Sequence, residues 1–293
     1  MCRIWHDAAM RHLLRLDDWN TDDLGALFSL ARRFEDGRGP RGEGCAAMFF
    51  PPTSLRTRLS FERGAALMGL QPVQFPPDAL DKAESTADVA GYIAQFSDLV
   101  VVRHGDIDVL DRMADAKQIP VINAMTDQNH PCEVLSDLYA LDRGDTRDLR
   151  SLRFVFIGAD GNIARAWAEG SRAFHLDLTQ CCPVDLAVPG LAHDEDPVHA
   201  ITGADVVITD GPGPFEDRLA PYRVTADLLS HAAEDVRLVP CPPFVRGREV
   251  SADAIDSTAF VGYGFKRALL PVQQAIMARS LGWVDSPAQV FTA

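Results

Sequence analysis

Hydroxyl and guanidinium side chains are concentrated in the segment FFPPTSLRTRLSFE, residues 49–62. An apolar run ends in two prolines there, and a helical pattern begins a few residues later. The first amides of a helix lack backbone partners, and the helix dipole attracts anions to that end. Ser54, Arg56 and Thr57 add donors that suit phosphate or carboxylate oxygens. The segment therefore predicts an anion site at a helix N-terminus.

The same segment also has a purely structural interpretation. Thr53 or Ser54 would cap the helix, and Arg58 with Glu62 would form a surface i,i+4 ion pair. Capping and anion binding are compatible because both use the first helical turn. From these residues alone, both interpretations stay open.

Other polar positions suit the same chemistry and also have ordinary structural explanations. Arg103 ends a strand pattern and could be a surface charge, while His130 before Pro131 could mark only a helix start. Cys241 between two prolines could be core packing. The turn GADGN, residues 158–162, fits a dinucleotide-binding fingerprint, which is a weak signal alone.

The elements that would position these residues are short apolar runs alternating with helical patterns, which predicts α/β units around mainly parallel sheets. Predicted strands are 45–50, 99–103, 121–124, 153–157, 176–179, 205–209 and 237–240; predicted helices are 22–36, 55–69, 86–96, 131–141, 163–174, 225–233 and 271–281. In the helix 55–69, the spacing of Leu59, Ala66, Leu67 and Leu70 predicts a buried stripe.

Composition excludes several classes of function. The 293 residues are 47% hydrophobic and 24% charged, which is typical of a globular chain with room for two domains. A net charge of -14 disfavours nucleic acid and anionic membranes as partners. The six cysteines lack zinc-like spacing, and neither a signal peptide nor a membrane span is apparent. We expect a soluble, cytoplasmic protein with reduced thiols and no bound metal.

Several segments together resemble the aspartate/ornithine carbamoyltransferase family, and the ornithine type most closely. SLRTRLSFE resembles the motif S-T-R-T-R-x-S-F-E, KAESTADVA resembles K-x-E-S-x-x-D-T-A, and NHPCEVLSDL resembles H-P-x-Q-x-L-x-D-L. FVFIGADGNIARA is similar to the glycine-rich turn of the acceptor domain, which binds no nucleotide. VPCPPFVRGREV matches the ornithine-type H-C-L-P-x-x-R-G-x-E-V. The matches run in order over nearly the whole chain.

The resemblance implies two α/β domains with mainly parallel sheets and an active site in the interdomain cleft. Residues 1–141 would bind carbamoyl phosphate, with a C-terminal helix at 271–293 packing back on them, and residues 142–270 would bind the acceptor. The implied reaction moves the carbamoyl group of carbamoyl phosphate to an amine without a metal or an organic cofactor. The implied assembly is a homotrimer with sites at subunit interfaces, where the loop around Lys82–Ser85 reaches into a neighbour's site.

Carried over residue by residue, the resemblance also assigns roles. Ser54, Arg56 and Thr57 would hold the phosphate, while Thr57, Arg103 and His130 would donate to the carbamoyl oxygen. That oxygen gains negative charge during attack, so these donors would form an oxyanion site. Cys241 would lie beside the attacking amine. Further substrate-binding positions are Leu55, Lys82, Ser85, Glu133, Asn162, Asp210 and Pro242.

Four departures from the family pattern bear on substrate. Leu55 replaces a threonine that touches phosphate, and Glu133 replaces a glutamine. Leu269 or Gln273 stands where the family has an arginine that reaches carbamoyl phosphate, with Arg267 nearby as a possible substitute. The S-M-G segment that binds the amino-acid group of ornithine is replaced by DGPGPFED, residues 210–217.

These departures predict an acceptor other than ornithine, and the acidic Glu216 and Asp217 favour a cationic amine. One alternative is an enzyme of this fold that acts on a ureido or guanidino compound without carbamoyl phosphate. Another is a catalytically silent homologue. Retention of Arg56, Arg103 and His130 favours an active enzyme.

Overall fold

The chain forms two compact units, each built on a parallel sheet flanked by helices. The computed structural model describes residues 10–284. Unit 1 contains Asp22–Tyr139 with residues 10–16 and 267–284, and unit 2 contains Ala140–Lys266 with Asp17–Thr21. The α/β fold class with two mainly parallel sheets is confirmed. The last part of the predicted C-terminal helix, residues 285–293, lies outside the described residues.

Unit 1 has a four-stranded parallel sheet in the order β2-β1-β3-β4. Its strands are β1 Gly44–Phe49, β2 Leu70–Phe75, β3 Leu99–Arg103 and β4 Val121–Met125; its helices are α1 Thr21–Glu35, α2 Arg56–Met68, α3 Thr86–Ile93, α4 Ile107–Asp115, α5 Pro131–Gly144 and α11 Leu269–Ser280. Four consecutive apolar residues of β3, Leu99–Val102, are fully buried, as expected of a central parallel strand covered on both faces.

Helix α2 ends where glycine is required. Gly69 has φ +88°, and a Cβ there would lie 2.4 Å from the carbonyl oxygen of Gly42. A side chain at this position would therefore be strained and would also collide with backbone. The sharp end lets β2 begin at the next residue and run parallel to β1.

Unit 2 has a five-stranded parallel sheet in the order β7-β6-β5-β8-β9. Its strands are β5 Arg153–Ile157, β6 Asp177–Cys181, β7 Ala192–Asp194, β8 Val206–Thr209 and β9 Arg237–Pro240; its helices are α6 Asn162–Phe174, α7 Pro197–Ile201, α8 Glu216–Leu219, α9 Ala226–Leu229 and α10 Ala252–Asp256. Val155, Val207 and Leu238 on adjacent strands belong to one buried core cluster.

In both sheets the strand order reverses at the first strand, with later strands added on both of its sides. In unit 1 the strands on either side of β1 are β2 and β3, and in unit 2 the strands on either side of β5 are β6 and β8. Ligands of parallel α/β sheets bind beyond the carboxyl ends of the strands at such switch points. The loops after β1 and β3, and those after β5 and β8, are therefore the places where sites are expected.

The sequence-based expectations missed several short elements and were wrong about one helix face. The elements that were not predicted are β2, β7, α4, α7, α8 and α10. Strand β2 contains Pro72 and lies at a sheet edge, where proline is tolerated. The predicted buried stripe of α2 was also wrong, because Leu59 is 60% and Leu67 is 41% exposed. Helix α2 buries Phe61, Ala65 and Met68 instead.

Within residues 10–284, no helix combines the length and apolarity that crossing a bilayer would require.

Candidate active site

The N-terminus of α2 lies directly after β1 and has no side-chain cap. The N-cap position is Leu55, and no side chain accepts a hydrogen bond from the first amides there. The capping role expected for Thr53 or Ser54 was therefore wrong. Arg58 and Glu62 do form the predicted i,i+4 pair, with Nε donating to Oε1 at 2.7 Å. The uncapped first turn leaves its amides available to an anion.

Ser54 joins this helix end to the end of β3. Arg103 Nη1 donates to Ser54 Oγ at 3.2 Å, although the two residues are 49 positions apart. Ser54 and Thr57 are buried, whereas Leu55 and Arg56 are exposed. Because Oγ accepts from arginine, the hydroxyl hydrogen of Ser54 is free to point elsewhere. Two loops at the unit 1 switch point thus share one cluster of donors.

His130 directly follows a hydrogen-bonded polar turn after β4. Asn129 N–H donates to Thr126 Oγ1 at 3.1 Å, and Thr126 N–H donates to the Asn129 carbonyl at 2.9 Å. Asn123 Nδ2 donates to Asn129 Oδ1 at 2.6 Å and to the Leu14 carbonyl at 2.9 Å. Asn123, Thr126 and Asn129 were not identified from the sequence. Their regular spacing of three residues was the signal from which this turn could have been predicted.

His130 and Glu133 form a buried pair at the start of α5. His130 Nε2 and Glu133 Oε2 are 3.9 Å apart, and each residue is only 5% exposed. Between them, the Cys132 thiol is fully buried and contacts the Asn123 carbonyl. Burial, reinforced by the Glu133 charge, raises the pKa of the Cys132 thiol. Cys132 is therefore an inert packing thiol beside the candidate site.

Lys82 and Ser85 lie apart from this cluster on the surface of unit 1. Both are exposed and line a groove with Arg112. Ser85 caps α3, because its hydroxyl accepts from the Asp88 amide at 3.1 Å. The loop is connected to the end of β3 through Asp81, which lies 2.9 Å from His104 Nε2.

The residues at the position of the family's C-terminal arginine are buried, and Arg267 lies near the carboxyl end of α2. Leu269 is 5% exposed and Gln273 is fully buried in α11. Arg267 lines a groove with Leu67 and Gly39. Leu67 is near the carboxyl end of α2, 11 residues from Arg56, or roughly 16 Å along the helix. The substitution by Arg267 considered from the sequence is therefore not supported.

In unit 2 the residues predicted to bind the acceptor substrate lie at the carboxyl edge of the sheet. Asn162 is the first residue of α6 after β5, Asp210 follows β8, and Cys241 with Pro242 follows β9. The Cys241 amide donates to the Thr209 carbonyl at 2.7 Å, which connects the ends of β8 and β9. Cys241 is buried, whereas Asn162, Asp210 and Pro242 are half-buried.

A small cavity opens beside Asp210, and we call it the unit 2 cavity. Its polar lining includes Asp210, Glu216, Tyr222, Arg248 and Glu249, next to the backbone of Gly158. Burial raises the pKa of the Tyr222 hydroxyl, so it remains a neutral donor at ordinary pH. None of Tyr222, Arg248 and Glu249 was identifiable from the sequence as a site residue, because their proximity depends on tertiary loops.

Comparison with known proteins identifies the family. The family model described as "Aspartate/ornithine carbamoyltransferase, carbamoyl-P binding domain" matches residues 11–143. The model described as "Aspartate/ornithine carbamoyltransferase, Asp/Orn binding domain" matches residues 150–279. The chain belongs to the aspartate/ornithine carbamoyltransferase family. It is an enzyme of the class that transfers one-carbon groups.

Individual relatives agree with this assignment. An ornithine carbamoyltransferase of Chromohalobacter salexigens is 32% identical over 277 residues, covering 85% of this chain and 90% of that protein. One of Methylobacillus flagellatus is 29% identical, covering 92% and 96%. The solved ornithine carbamoyltransferase of Burkholderia thailandensis has a TM-score of 0.85 at 29% identity, covering 92% of this chain and 98% of that one.

Proposed function

We propose that this carbamoyltransferase moves the carbamoyl group of carbamoyl phosphate to an amine other than ornithine. The observation that carries the proposal is the hydrogen bond from Arg103 to Ser54 at the uncapped N-terminus of α2. The guanidinium of Arg103, the hydroxyl of Ser54 and the first amides of α2 then lie together at a switch point, and all of them favour an anion. In a chain with a net charge of -14, such a site has to be built locally.

In this proposal the residues of unit 1 bind the donor and stabilise the developing charge. Ser54, Arg56 and Thr57 hold the phosphate, and Thr57, Arg103 and His130 donate to the carbamoyl oxygen. A neutral amine attacks the carbamoyl carbon, the bond to phosphate breaks, and the departing phosphate accepts the proton of the amine. One donor of this kind is typically worth about 3 kcal/mol of transition-state stabilisation.

The acceptor is proposed to differ from ornithine because residues 210–217 lack the S-M-G segment and carry additional carboxylates. The replacement segment forms a short helical turn and α8, and Glu216 Oε2 accepts from Arg248 Nη2 at 2.8 Å. The relatives compared above are named ornithine carbamoyltransferases. This segment is therefore the place where the chain would depart from them in acceptor choice.

A second candidate function is action on a ureido or guanidino compound without carbamoyl phosphate. The buried Glu133 carboxylate near His130 favours it, since a carboxylate accepts hydrogen bonds from a ureido NH₂ but repels phosphate. Leu269 at the position of the family's arginine points the same way, because an apolar side chain contributes nothing to phosphate binding.

We further propose a cytoplasmic homotrimer in which Lys82 and Ser85 contribute to a neighbour's site. Unit 1 exposes several large apolar side chains, which supports burial against other copies of the chain. These residues are Leu55, Leu59, Leu67, Phe75, Tyr92 and Phe96.

A coupled assay tests the proposed reaction. Phosphate release from carbamoyl phosphate is measured with ornithine and with a panel of other primary amines, and the carbamoylated product is identified by mass. We expect amine-dependent release with an amine of the panel and little with ornithine. Efficient citrulline formation from ornithine would overturn the acceptor assignment, and cleavage of a ureido compound without carbamoyl phosphate would favour the second candidate.

A further inference from the structure

Residues 81–85 form an exposed loop of unit 1, which we call the Lys82 loop. Within residues 10–284, Lys82 itself forms neither a hydrogen bond nor an ion pair. On the carboxyl side of Lys82, the Ser85 hydroxyl accepts from the Asp88 amide at 3.1 Å. On its amino side, the Asp81 amide donates to the Asp78 carbonyl at 3.1 Å. The position of Lys82 therefore depends on how its neighbours in the loop are held.

The Asp81 side chain is held by His104, which follows Arg103 at the end of β3. His104 Nε2 lies 2.9 Å from Asp81 Oδ1. The His104 amide donates to the Met125 carbonyl at 3.1 Å, which fixes the backbone of His104 to the end of β4. The His104 side chain is only 10% exposed, so its ring is packed in place. The Lys82 loop is thus attached to a fixed point of the sheet.

The second ring nitrogen of His104 determines which nitrogen carries the proton. The Asp106 amide donates to Nδ1 at 3.0 Å, and a ring nitrogen that accepts from an amide carries no proton. The Asp106 carbonyl oxygen, 3.2 Å from the same nitrogen, therefore receives no hydrogen bond from the neutral ring. The proton of the neutral ring is then on Nε2, which donates it to the Asp81 carboxylate. A hydrogen bond to an ionised acceptor is stronger than one between neutral groups.

We propose that His104 is a positioning residue, which orients the Lys82 loop through the hydrogen bond from its Nε2 to Asp81. This inference rests on the proposed homotrimer, in which Lys82 contributes to a neighbour's site. Arg103 binds substrate in the site of its own chain. The consecutive residues Arg103 and His104 therefore serve two different active sites, and His104 itself touches no substrate.

Cleavage by endoproteinase Lys-C, which cuts after lysine, tests the loop independently of activity. Lys82 and Lys117 are both exposed lysines of unit 1, so cleavage after Lys117 is an internal reference. We expect His104→Ala to raise the rate of cleavage after Lys82 by roughly three- to tenfold relative to Lys117. Loss of a hydrogen bond to a charged group increases the population of loop conformations that a protease can bind. Mass spectrometry quantifies the fragments.

Variants of two neighbouring aspartates provide the controls. Asp81→Ala should raise the rate as His104→Ala does, and the double variant should not exceed either single variant, because all three lose the same bond. Asp78→Ala, at an exposed aspartate of the preceding turn, should leave cleavage unchanged. His104→Gln supplies an N–H donor again and should restore part of the protection. An unchanged rate after Lys82, or an equal rise after Lys82 and Lys117, would overturn the proposal.

Mixed oligomers show which site His104 serves. Alone, His104→Ala should lower activity roughly tenfold. Combined with Arg103→Ala it should recover part of the activity, because some sites then receive an intact Arg103 and an intact Lys82 loop. Combined with Lys82→Ala it should recover none, because every loop is then impaired. Any other pattern, including recovery in neither mixture, would overturn the service of His104 to a neighbour's site.

The two measurements distinguish this inference from the proposed function. Carbamoyl transfer that His104→Ala leaves unchanged removes the positioning role and leaves the transferase proposal intact. Protection of Lys82 that depends on His104, in a protein that transfers no carbamoyl group, supports the positioning of the loop and overturns the proposed function.

Discussion

Leu55 is the single residue whose replacement should most simply strengthen the anion site. It occupies the N-cap of α2, next to buried Ser54, and its side chain is 68% exposed. An exposed leucine contributes little to the core, so a polar residue is tolerated there. A hydroxyl at the same position could donate to a phosphate at the helix end.

Leu55→Thr should therefore tighten binding of carbamoyl phosphate by roughly two- to tenfold, the effect of one additional neutral hydrogen bond. Calorimetric titration measures it. Leu59→Thr, a substitution of an exposed leucine one turn further along α2, is the control and should leave affinity unchanged. Equal affinities of Leu55→Thr and the unmodified protein would argue against a phosphate at this helix end.

At the residue scale, candidate site residues at strand ends were easier to identify from the sequence than candidate site residues in loops. Arg103 was identifiable because it ends an apolar run, and the structure places it against Ser54. Glu249 was not identified, although its segment had been matched to the family. Its Oε1 accepts from the Val245 amide, while its Oε2 is buried without a hydrogen-bond partner among the described residues. No local pattern encodes that arrangement.

At the element scale, most strands were predicted because parallel strands covered on both faces are continuous apolar runs, whereas the edge strands β2 and β7 were missed. Strand β3 was predicted at its observed bounds, Leu99–Arg103. The face of α2 was mispredicted because Leu59 and Leu67 follow a helical spacing and yet are exposed. Hydrophobic periodicity does not distinguish burial in the core of the same chain from a surface that other copies could cover.

Elements of unit 2 are also connected by a cluster of ions around Asp145. Its carboxylate accepts from Arg147 Nη2 at 3.0 Å and from Arg237 Nη2 at 2.7 Å, and Arg147 Nη1 also donates to Asp205 at 2.6 Å. The hydrogen bond from Arg147 lowers the pKa of Asp145 to about 2. The cluster connects the segment after α5 to the starts of β8 and β9.

Asp145→Asn should lower the free energy of unfolding by on the order of 1–2 kcal/mol at pH 7. Because the folded pKa lies below the unfolded one, near 4, the stabilisation is complete above pH 4 and is lost as pH falls towards 2. Urea unfolding at several pH values should show the difference from the unmodified protein shrinking over that window. Asp177→Asn, at an exposed aspartate that begins β6, should show no such trend, and a difference that persists at pH 2 would contradict the account.

At the scale of the whole molecule, the proposed homotrimer makes Lys82 a residue of a neighbour's site. Light scattering after gel filtration should give about three times the chain mass of 32.0 kDa. Lys82→Ala and Arg103→Ala should each reduce activity strongly. Mixed oligomers of the two variants should recover part of it, because some sites then receive both intact residues. A monomeric protein, or mixtures without recovery, would contradict the shared site.

The most direct test of the central claim is a calorimetric titration of carbamoyl phosphate. Arg56→Ala is compared with Arg63→Ala, which removes the same charge from an exposed position seven residues further along α2. The account predicts binding by the unmodified protein and by Arg63→Ala, and at least tenfold weaker binding by Arg56→Ala. No binding by the unmodified protein at millimolar ligand, or equal binding by the two variants, would contradict it.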